Sequence, residues 1–328
     1  MRRLLIDGFG RRVRKLRISV TDRCNFRCAY CMPEDVVFRD RAELLTFEEI
    51  ERVTRVAVGL GIEKVRLTGG EPLVRRDVER LVARLVAIPG LRAVSMTTNG
   101  YLLPGKAAAL KRAGLAGINI SLDTLDEDRF VLLTRRDGLR QVLAGIRAAL
   151  DAGLAPVKVN MVVMRGYNDD EVETFAALAR EGPLVVRFIE FMPLDNGGVW
   201  NQDLVVPARE IAARAARVAP LVPVDHDPSE PARRYRFADG QGEIGIIASV
   251  TEPFCRYCDR IRLTAEGQLR HCLFALEEYD VRAVLRGGGS DADIAAVLRE
   301  AVAAKWAGHG IGRDGFVKPA RTMHAIGG

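Results

Sequence analysis

The sequence predicts an α/β fold built on a parallel sheet, because two kinds of segment alternate along its first two thirds. Short apolar runs rich in β-branched residues are separated by longer segments whose apolar residues recur at helical spacing. A strand that returns to its sheet through a helix lies parallel to its predecessor, with a right-handed crossover. Six such β-α units in succession suit either an open doubly wound sheet or a partial barrel.

The predicted strands and helices follow one another strictly along the chain. The first helix has the clearest start, because Thr46 is its predicted N-cap and Glu49 stands three residues later, the spacing of a capping box. The predicted strands are 16–20, 64–69, 93–99, 117–123, 157–164 and 185–192. The predicted helices are 46–59, 76–87, 105–113, 138–152, 169–181 and 207–218.

The composition changes after residue 218. Residues 219–234 hold four prolines in sixteen positions, which is typical of a linker or an extended surface loop. A closing helix is predicted from about Asp291 to Trp306. Between them we expect two antiparallel hairpins, 235–250 with its turn at Asp239-Gly240 and 260–274 with its turn at Glu266-Gly267. These changes divide the chain into a core, 1–218, and a C-terminal region, 219–328.

The bulk composition indicates a globular protein: 48% of the residues are hydrophobic and 28% are charged. No stretch has the length of a membrane helix, and the apolar run at 4–6 is too short for a signal peptide. We therefore expect a cytoplasmic protein that does not bind membranes. The net charge of +6 mildly favours an anionic partner, either a phosphate-bearing small molecule or a nucleic acid.

The six cysteines fall into two groups of three. In a reducing compartment such cysteines favour metal or catalytic roles over disulfides. A zinc site usually takes four ligands, so each group is one short; His271 could complete a Cys3His site in the second group. The alternative is a four-iron cluster held by three thiolates, which leaves one iron open to a small molecule. The groups are Cys24, Cys28 and Cys31, and Cys255, Cys258 and Cys272.

The motifs around these cysteines resemble those of the radical S-adenosylmethionine enzymes. CNFRCAYC at 24–31 has their Cys-x3-Cys-x2-Cys pattern, TGGEP at 68–72 resembles their glycine-rich stretch, and SLD at 121–123 resembles their ribose contact. Together with RFIEFMP, FCRYCDRIRLTAEGQLRHCLF and the terminal IGG, they resemble the family of GTP 3′,8-cyclases over nearly the whole chain. The resemblance implies a partial (β/α)6 barrel, TIM-like, whose open side is covered by a smaller C-terminal region.

The resemblance also implies two [4Fe-4S] clusters, one in each cysteine group. The open iron of the first would bind S-adenosylmethionine, and the open iron of the second would bind the guanine of GTP. The implied contacts to S-adenosylmethionine are Tyr30, Gly70, Ser121 and Met192. The implied contacts to GTP are Arg17, Arg66, Thr97, Lys158, Arg260 and Arg262, to which we add Lys64 and Arg187 as neighbours.

The basic residues in these strands agree with a triphosphate ligand. Each alone fits a solvated charge at a strand end equally well. Arg66 and Arg187, however, lie on strands that we expect to be buried, and a buried arginine is rarely found without an anionic partner. No Walker loop or Rossmann glycine fingerprint is present in the sequence. Side-chain cations would therefore hold the nucleotide.

The implied reaction is of the lyase class and opens molybdenum cofactor (molybdopterin) biosynthesis. A 5′-deoxyadenosyl radical removes the ribose 3′ hydrogen of GTP, and the substrate radical cyclises onto guanine C8 to give (8S)-3′,8-cyclo-7,8-dihydro-GTP. Arg260 or Arg262 would assist the final reduction, and the Gly327-Gly328 tail would reach into the active site. The resemblance implies an electron donor such as flavodoxin or ferredoxin, and transfer of the product to cyclic pyranopterin monophosphate synthase. It also allows a homodimer.

Two other hypotheses remain open at this stage. One is a different radical enzyme with an auxiliary cluster, such as a peptide-modifying one, although such enzymes usually carry more cysteines there. The other is a metal-cluster protein that binds nucleic acid, for which we expect exposed cations interleaved with aromatic residues. Aromatic residues make up only 6% of the chain, so we expect no nucleic-acid partner. Segments 193–203 and 219–231 match no motif.

Overall fold

In the computed structural model of the chain, which describes residues 4–195 and 198–327, one sheet organises the fold. Its strands in chain order are β1 (Lys15–Ser19), β2 (Lys64–Thr68), β3 (Ala93–Thr98), β4 (Gly117–Ser121), β5 (Val157–Val163), β6 (Val185–Glu190), β7 (Leu221–Val224), β8 (Arg233–Phe237), β9 (Glu243–Ile247), β10 (Arg260–Leu263), β11 (Gln268–Arg270) and β12 (Tyr279–Asp280). Their order across the sheet is β12-β11-β10-β1-β2-β3-β4-β5-β6-β9-β8-β7.

The centre of this sheet confirms the predicted partial barrel. Strands β1 to β6 are parallel neighbours in chain order, and the sheet ends at β12 and β7 without closing. Both predicted hairpins form, as β8-β9 and β10-β11. One strand of each then joins an edge of the core in parallel, β10 beside β1 and β9 beside β6. The sheet is thus continuous across residue 218, and the division of the chain there stays a prediction.

The helices cover the outside of the sheet. In the described ranges, three lie where none was predicted: α4, α8 and α10. Asp126 is the N-cap of helix α4, and its side chain accepts a hydrogen bond from the Arg129 amide at 2.7 Å. Aspartate is a preferred N-cap residue, so the sequence contained this signal. Of the helices in the described ranges, none has the length and hydropathy of a membrane span. The helices are α1 (Phe47–Gly59), α2 (Val78–Val86), α3 (Ala107–Arg112), α4 (Glu127–Thr134), α5 (Leu139–Asp151), α6 (Val172–Glu181), α7 (Ala208–Ala215), α8 (Val281–Arg286), α9 (Asp291–Ala303) and α10 (Met323–Ile326).

The two faces of the parallel strands differ in polarity, and this difference creates the interior of the barrel. In β1, Leu16 and Ile18 are fully buried in the main hydrophobic core. Their neighbours Lys15, Arg17 and Ser19 point to the opposite face, because successive side chains of a strand alternate. The same alternation in the adjacent strands gives the barrel a polar lining inside an apolar wall.

The proline-rich segment 219–234 is more than the predicted linker. It contains β7, an edge strand that pairs antiparallel with β8. Pro223 is tolerated there because an edge strand has one side without ladder hydrogen bonds. The chain then returns to the barrel, where Arg14 Nη2 contacts Asp227 Oδ2 at 2.9 Å and Lys15 Nζ contacts Ser229 Oγ at 3.0 Å. The segment therefore forms part of the barrel wall.

Candidate functional site

The first cysteine group lies in the loop that follows β1. Its three thiols form no disulfide and are half-buried. A tight turn holds them, in which the amides of Cys31 and Met32 donate to the Cys28 carbonyl at 2.9 and 3.0 Å. Phe26, between the first two cysteines, anchors the loop by packing edge-on against Tyr101, with ring centroids 5.8 Å apart. The loop thus presents three thiols at the carboxyl end of a central strand.

The surroundings of this group disfavour free thiolates. Burial raises the pKa of Cys24 to about 11 and that of Cys31 to about 12. For Cys28, burial, the other two cysteines and Asp123 raise the pKa well above its ordinary value. Glu71, whose own pKa burial raises to about 7, adds a further negative charge near Cys24 when it is ionised. Three neighbouring sulfur donors that need cations to become thiolates fit an iron–sulfur cluster.

The glycine-rich motif after β2 allows its backbone to approach the cysteine loop. A Cβ on Gly70 would lie 2.5 Å from the Arg23 carbonyl oxygen and 2.6 Å from that of Asp22, so only glycine fits. Next to it, the buried Glu71 accepts hydrogen bonds from Thr98 Oγ1 at 2.7 Å and from the Asn99 amide at 2.6 Å. The motif therefore joins the ends of three strands directly beneath the first cysteine group.

The predicted contacts to S-adenosylmethionine divide between two places. The Tyr30 hydroxyl donates to Asp123, and the Tyr30 ring packs edge-on against Phe191 at 6.2 Å. Ser121 ends β4, two residues before Asp123. Met192 packs instead in a small apolar cluster that also receives Cys272 of the second group. Asp123 was not singled out from the sequence, although it completes the SLD motif.

A cavity of about 250 Å³ opens at the amino ends of the parallel strands. Four of the predicted GTP contacts line it, together with the two added neighbours and two cations that the sequence analysis missed. Thr97 and Arg262 are not among its walls; Thr97 accepts a hydrogen bond from Asn119 Nδ2 at 3.1 Å. The lining cations are Arg17, Arg66, Lys158 and Arg260, the neighbours Lys64 and Arg187, and the additional Lys15 and Arg234.

The wall of the cavity carries more positive than negative charge. The cavity wall contains two carboxylates, those of Glu230 and Glu243. Burial, followed by the charges of Arg262 and Arg66, lowers the pKa of Arg17 well below its ordinary value. Burial and the nearby Arg187 lower the pKa of Lys158 to about 8. Buried like charges of this kind favour binding of a polyanion.

The second cysteine group lies at the opposite end of the barrel. Cys255 and Cys258 precede β10, whose first residue is paired with the first residue of β1, and Cys272 follows the antiparallel β11. Cys258 Sγ lies 3.7 Å from Arg260 Nη2 and 3.8 Å from Lys305 Nζ. Burial opposes ionisation of Cys258, but Arg260 and Lys305 outweigh it and lower its pKa to about 6. These cations and three soft donors fit a second anionic iron–sulfur cluster.

His271 is placed beside this group without facing it. Its side chain is buried, at 1% exposure, and packs edge-on against Trp306 with ring centroids 5.0 Å apart. Within the described ranges, neither ring nitrogen is within hydrogen-bond reach of a cysteine sulfur or any other acceptor. This orientation favours the three-thiolate set over the Cys3His alternative.

The C-terminal tail enters the barrel between the two cysteine groups. His324 Nδ1 lies 3.3 Å from the Cys31 carbonyl oxygen, and the Gly327 carbonyl accepts a hydrogen bond from Arg262. Gly327 has φ +83°, and a Cβ there would lie 2.6 Å from Thr68 Oγ1. The tail therefore requires glycine at this point. Gly328, the other predicted tail residue, lies outside the described residues.

Two family descriptions match successive parts of the chain. Residues 18–179 match the Radical SAM superfamily. Residues 184–311 match the family described as Molybdenum Cofactor Synthesis C. The first match contains the first cysteine group and the second contains the second group.

Similar proteins are found over the full length of the chain. The GTP 3′,8-cyclase of Moorella thermoacetica is 48% identical, covering 98% of this chain and 99% of its own. That of Streptomyces coelicolor is 48% identical, covering 99% and 96%. Among solved structures, Streptococcus suis SuiB bound to S-adenosylmethionine has a TM-score of 0.62 at 13% identity, covering 81% of this chain and 62% of that protein. This last likeness concerns the fold alone.

Proposed function

The chain belongs to the GTP 3′,8-cyclase family, and from that premise we propose that it converts GTP into (8S)-3′,8-cyclo-7,8-dihydro-GTP for molybdenum cofactor synthesis. The observation that carries the proposal is the placement of a cation-lined cavity in a barrel with one three-cysteine group at each end. Such a cavity suits a triphosphate, and the two groups suit a pair of cofactor clusters.

The first group would bind the radical-generating cofactors. Cys24, Cys28 and Cys31 would hold a [4Fe-4S] cluster that, with S-adenosylmethionine, supplies the 5′-deoxyadenosyl radical. Tyr30 is fixed by Asp123 at the edge of this loop, which suits a role in packing against the cofactor and excluding water. Ser121, Gly70 and Met192 are proposed as its further contacts, with the Ser121 hydroxyl suited to a ribose.

The cavity would bind the triphosphate and orient the ribose toward the first group. Arg17, Arg66 and Lys158 lie on three different strands, so together they would hold the phosphates from three sides. Thr97, Lys64 and Arg187 are proposed as supporting contacts. The arginine fork offers paired donors to phosphate oxygens, and the excess of cations would be compensated when GTP binds.

The second group would bind the guanine end of the substrate. Cys255, Cys258 and Cys272 are proposed to hold a second [4Fe-4S] cluster with an open iron. Arg260 contacts both the cavity and Cys258, whereas Arg262 holds the Gly327 carbonyl. We propose that Arg262 and the Gly327-Gly328 tail position the reacting ribose and that Arg260 stabilises charge at the guanine.

The remaining partners are proposed from the family alone. They are an electron donor such as flavodoxin or ferredoxin, and cyclic pyranopterin monophosphate synthase as the enzyme that receives the product, with a cytoplasmic location and a homodimer as further proposals. The nucleic-acid alternative is not favoured by the position of the cations, because those in question face the barrel interior. A peptide substrate would need no such set of cations.

The proposal is tested by iron content and product analysis after anaerobic reconstitution. The wild-type chain should hold about eight irons, and either triple cysteine-to-alanine variant about four. The variant without the first group should form no 5′-deoxyadenosine, whereas the variant without the second should cleave S-adenosylmethionine and form no cyclised GTP. About four irons with one zinc in the wild-type chain would contradict the second cluster.

A further inference from the structure

Lys305 is a buried cation beside the second cysteine group. It follows helix α9, and the residue is 6% exposed. Its ammonium donates to the Arg260 carbonyl at 2.9 Å and to the His271 carbonyl at 2.9 Å, and it lies 3.8 Å from Cys258 Sγ. These three contacts use all three of its hydrogens. The ammonium is thereby held against Cys258 Sγ and beside the carbonyl groups of Arg260 and His271, which are close in the chain to Cys258 and Cys272.

Among the residues that the structure describes, no carboxylate forms an ion pair with Lys305, so its charge lacks a formal countercharge as long as Cys258 is a neutral thiol. Burying an ammonium is unfavourable unless an anion accompanies it. A thiolate that belongs to an anionic cluster would be that anion. The position of Lys305 therefore makes sense in the cluster-bound protein, which connects this residue to the cofactor through Cys258.

We propose that Lys305 raises the reduction potential of the second cluster by placing a fixed positive charge against Cys258 Sγ. This inference rests on the proposed function, because it requires a cluster in the second group. Adding one electron makes a cluster more negative by one charge, and a nearby cation stabilises that reduced form. Net charge and hydrogen bonds to the sulfurs are among the main determinants of such potentials.

Lys305 differs in this respect from Arg260, the other cation at Cys258. Arg260 lines the cavity and would interact with the substrate, so its effect on the cluster changes when GTP binds. Lys305 is not among the residues that line the cavity, and its ammonium is held by Cys258 Sγ and by the Arg260 and His271 carbonyls. It would hold the potential of the second cluster at a constant offset whether or not substrate is present.

A purely structural role for Lys305 must be separated from this electrostatic one, and Arg11 offers a matched control. Arg11 ties together the same neighbourhood, since its guanidinium donates to the Cys255 carbonyl at 2.7 Å and to the Trp306 carbonyl at 2.6 Å. Its charge is already paired with Asp7 at 2.6 Å. The control is Arg11→Gln combined with Asp7→Asn, which removes both members of this ion pair and so loosens the loop without changing the net charge near the cluster.

The experiment measures the potential of the second cluster alone. The background is the full chain with Cys24→Ala, Cys28→Ala and Cys31→Ala, reconstituted anaerobically and titrated with dithionite while the reduced cluster is followed by electron paramagnetic resonance. Lys305→Gln should lower the midpoint by about 59 mV, a tenfold change in the ratio of reduced to oxidised cluster. Lys305→Arg should restore most of this shift, and the double variant Arg11→Gln with Asp7→Asn should leave the midpoint unchanged.

Each other result is informative. A fully loaded Lys305→Gln variant with an unchanged midpoint, or an equal shift in the double variant Arg11→Gln with Asp7→Asn, would overturn the inference. Loss of iron from Lys305→Gln that Lys305→Arg reverses would support the need for charge, whereas loss of iron from both would point to packing and overturn it. A background chain that binds zinc in place of iron would overturn the proposed second cluster and this inference with it; the metal content distinguishes that result from the others.

Discussion

The two cysteine groups have the same donors and opposite electrostatic surroundings. The first is buried near the carboxylates of Glu71 and Asp123, and the pKa values of Cys24 and Cys31 are raised to about 11 and about 12. In the second, burial raises the pKa of Cys255, but Arg260 and Lys305 lower the pKa of Cys258 to about 6. Three thiols alone therefore do not determine the chemistry of a site; the charges that the fold places beside them do.

This difference agrees with different tasks for the two groups. A cluster surrounded by burial and negative charge is hard to reduce, and its electron is correspondingly easy to transfer to a bound molecule. The proposed second cluster, beside fixed cations, would tolerate added negative charge, and it would lie at the end of the barrel where the cation-lined cavity opens. We therefore expect substitutions in the cavity to weaken GTP binding and to leave S-adenosylmethionine binding nearly unchanged.

The largest effect is expected for Arg66→Met. Loss of one buried charge-assisted contact to phosphate removes about 1.5–3 kcal/mol, which weakens GTP binding about 10- to 150-fold. Binding of S-adenosylmethionine should change less than twofold, because its proposed site is at the other end of the barrel. Calorimetric titration of each ligand into the reconstituted protein measures both.

The control for this substitution is Arg217→Met, which removes a surface cation whose side chain is 72% exposed. It should leave both affinities unchanged. Equal losses of affinity for GTP and for S-adenosylmethionine in Arg66→Met would show that the two ends of the barrel are not independent. That result would contradict the contrast between the two cysteine groups.

The sequence predicted much of this site because its signals are local. Cysteine spacing identified both triplets, whereas Arg17 and the other GTP contacts were implied by the family resemblance. The alternation of apolar and polar residues would have found Lys15 and Asn119, had it been applied to every strand. Glu230 and Lys305 carry no such signal, since each becomes part of the site only through contacts with residues remote in the chain.

The fold shows the same limit. The six β-α units were predicted, and so were both hairpins, because capping residues and turns mark them locally. That β10 and β9 would add to the edges of the core in parallel was not predicted. Such pairings are decided by which apolar faces pack together across the chain, and no turn residue records that choice.

A tenfold effect is expected at the first group from Asp123→Asn. The Asp123 carboxylate contributes to the raised pKa of Cys28, and burial raises its own pKa to about 6, so it is charged at pH 8. Its removal should raise the midpoint potential of the first cluster by about 59 mV. A redox titration at pH 8 of the chain that lacks the second cysteine group measures this shift.

Asparagine is a near-isosteric replacement that retains an acceptor for the Tyr30 hydroxyl, so the change is mainly one of charge. Asp128→Asn, on the exposed face of α4, is the matched control and should not alter the midpoint. A downward shift in Asp123→Asn would contradict the assignment of negative surroundings to the first group and would remove the contrast between the two.

The smallest effect is a pH dependence of GTP binding that arises from Lys158. Burial and Arg187 lower its pKa to about 8, so part of the population is neutral near pH 8. A bound triphosphate favours the charged amine, so binding takes up a proton and weakens as pH rises through 8. Between pH 7.5 and 8.5 the protonated fraction, and with it the affinity, should fall about threefold. Lys158→Arg keeps its charge over this range, so its GTP affinity should no longer depend on pH. A pH dependence that persists in this variant would belong to another group. Binding of S-adenosylmethionine should show no such pH dependence in either chain.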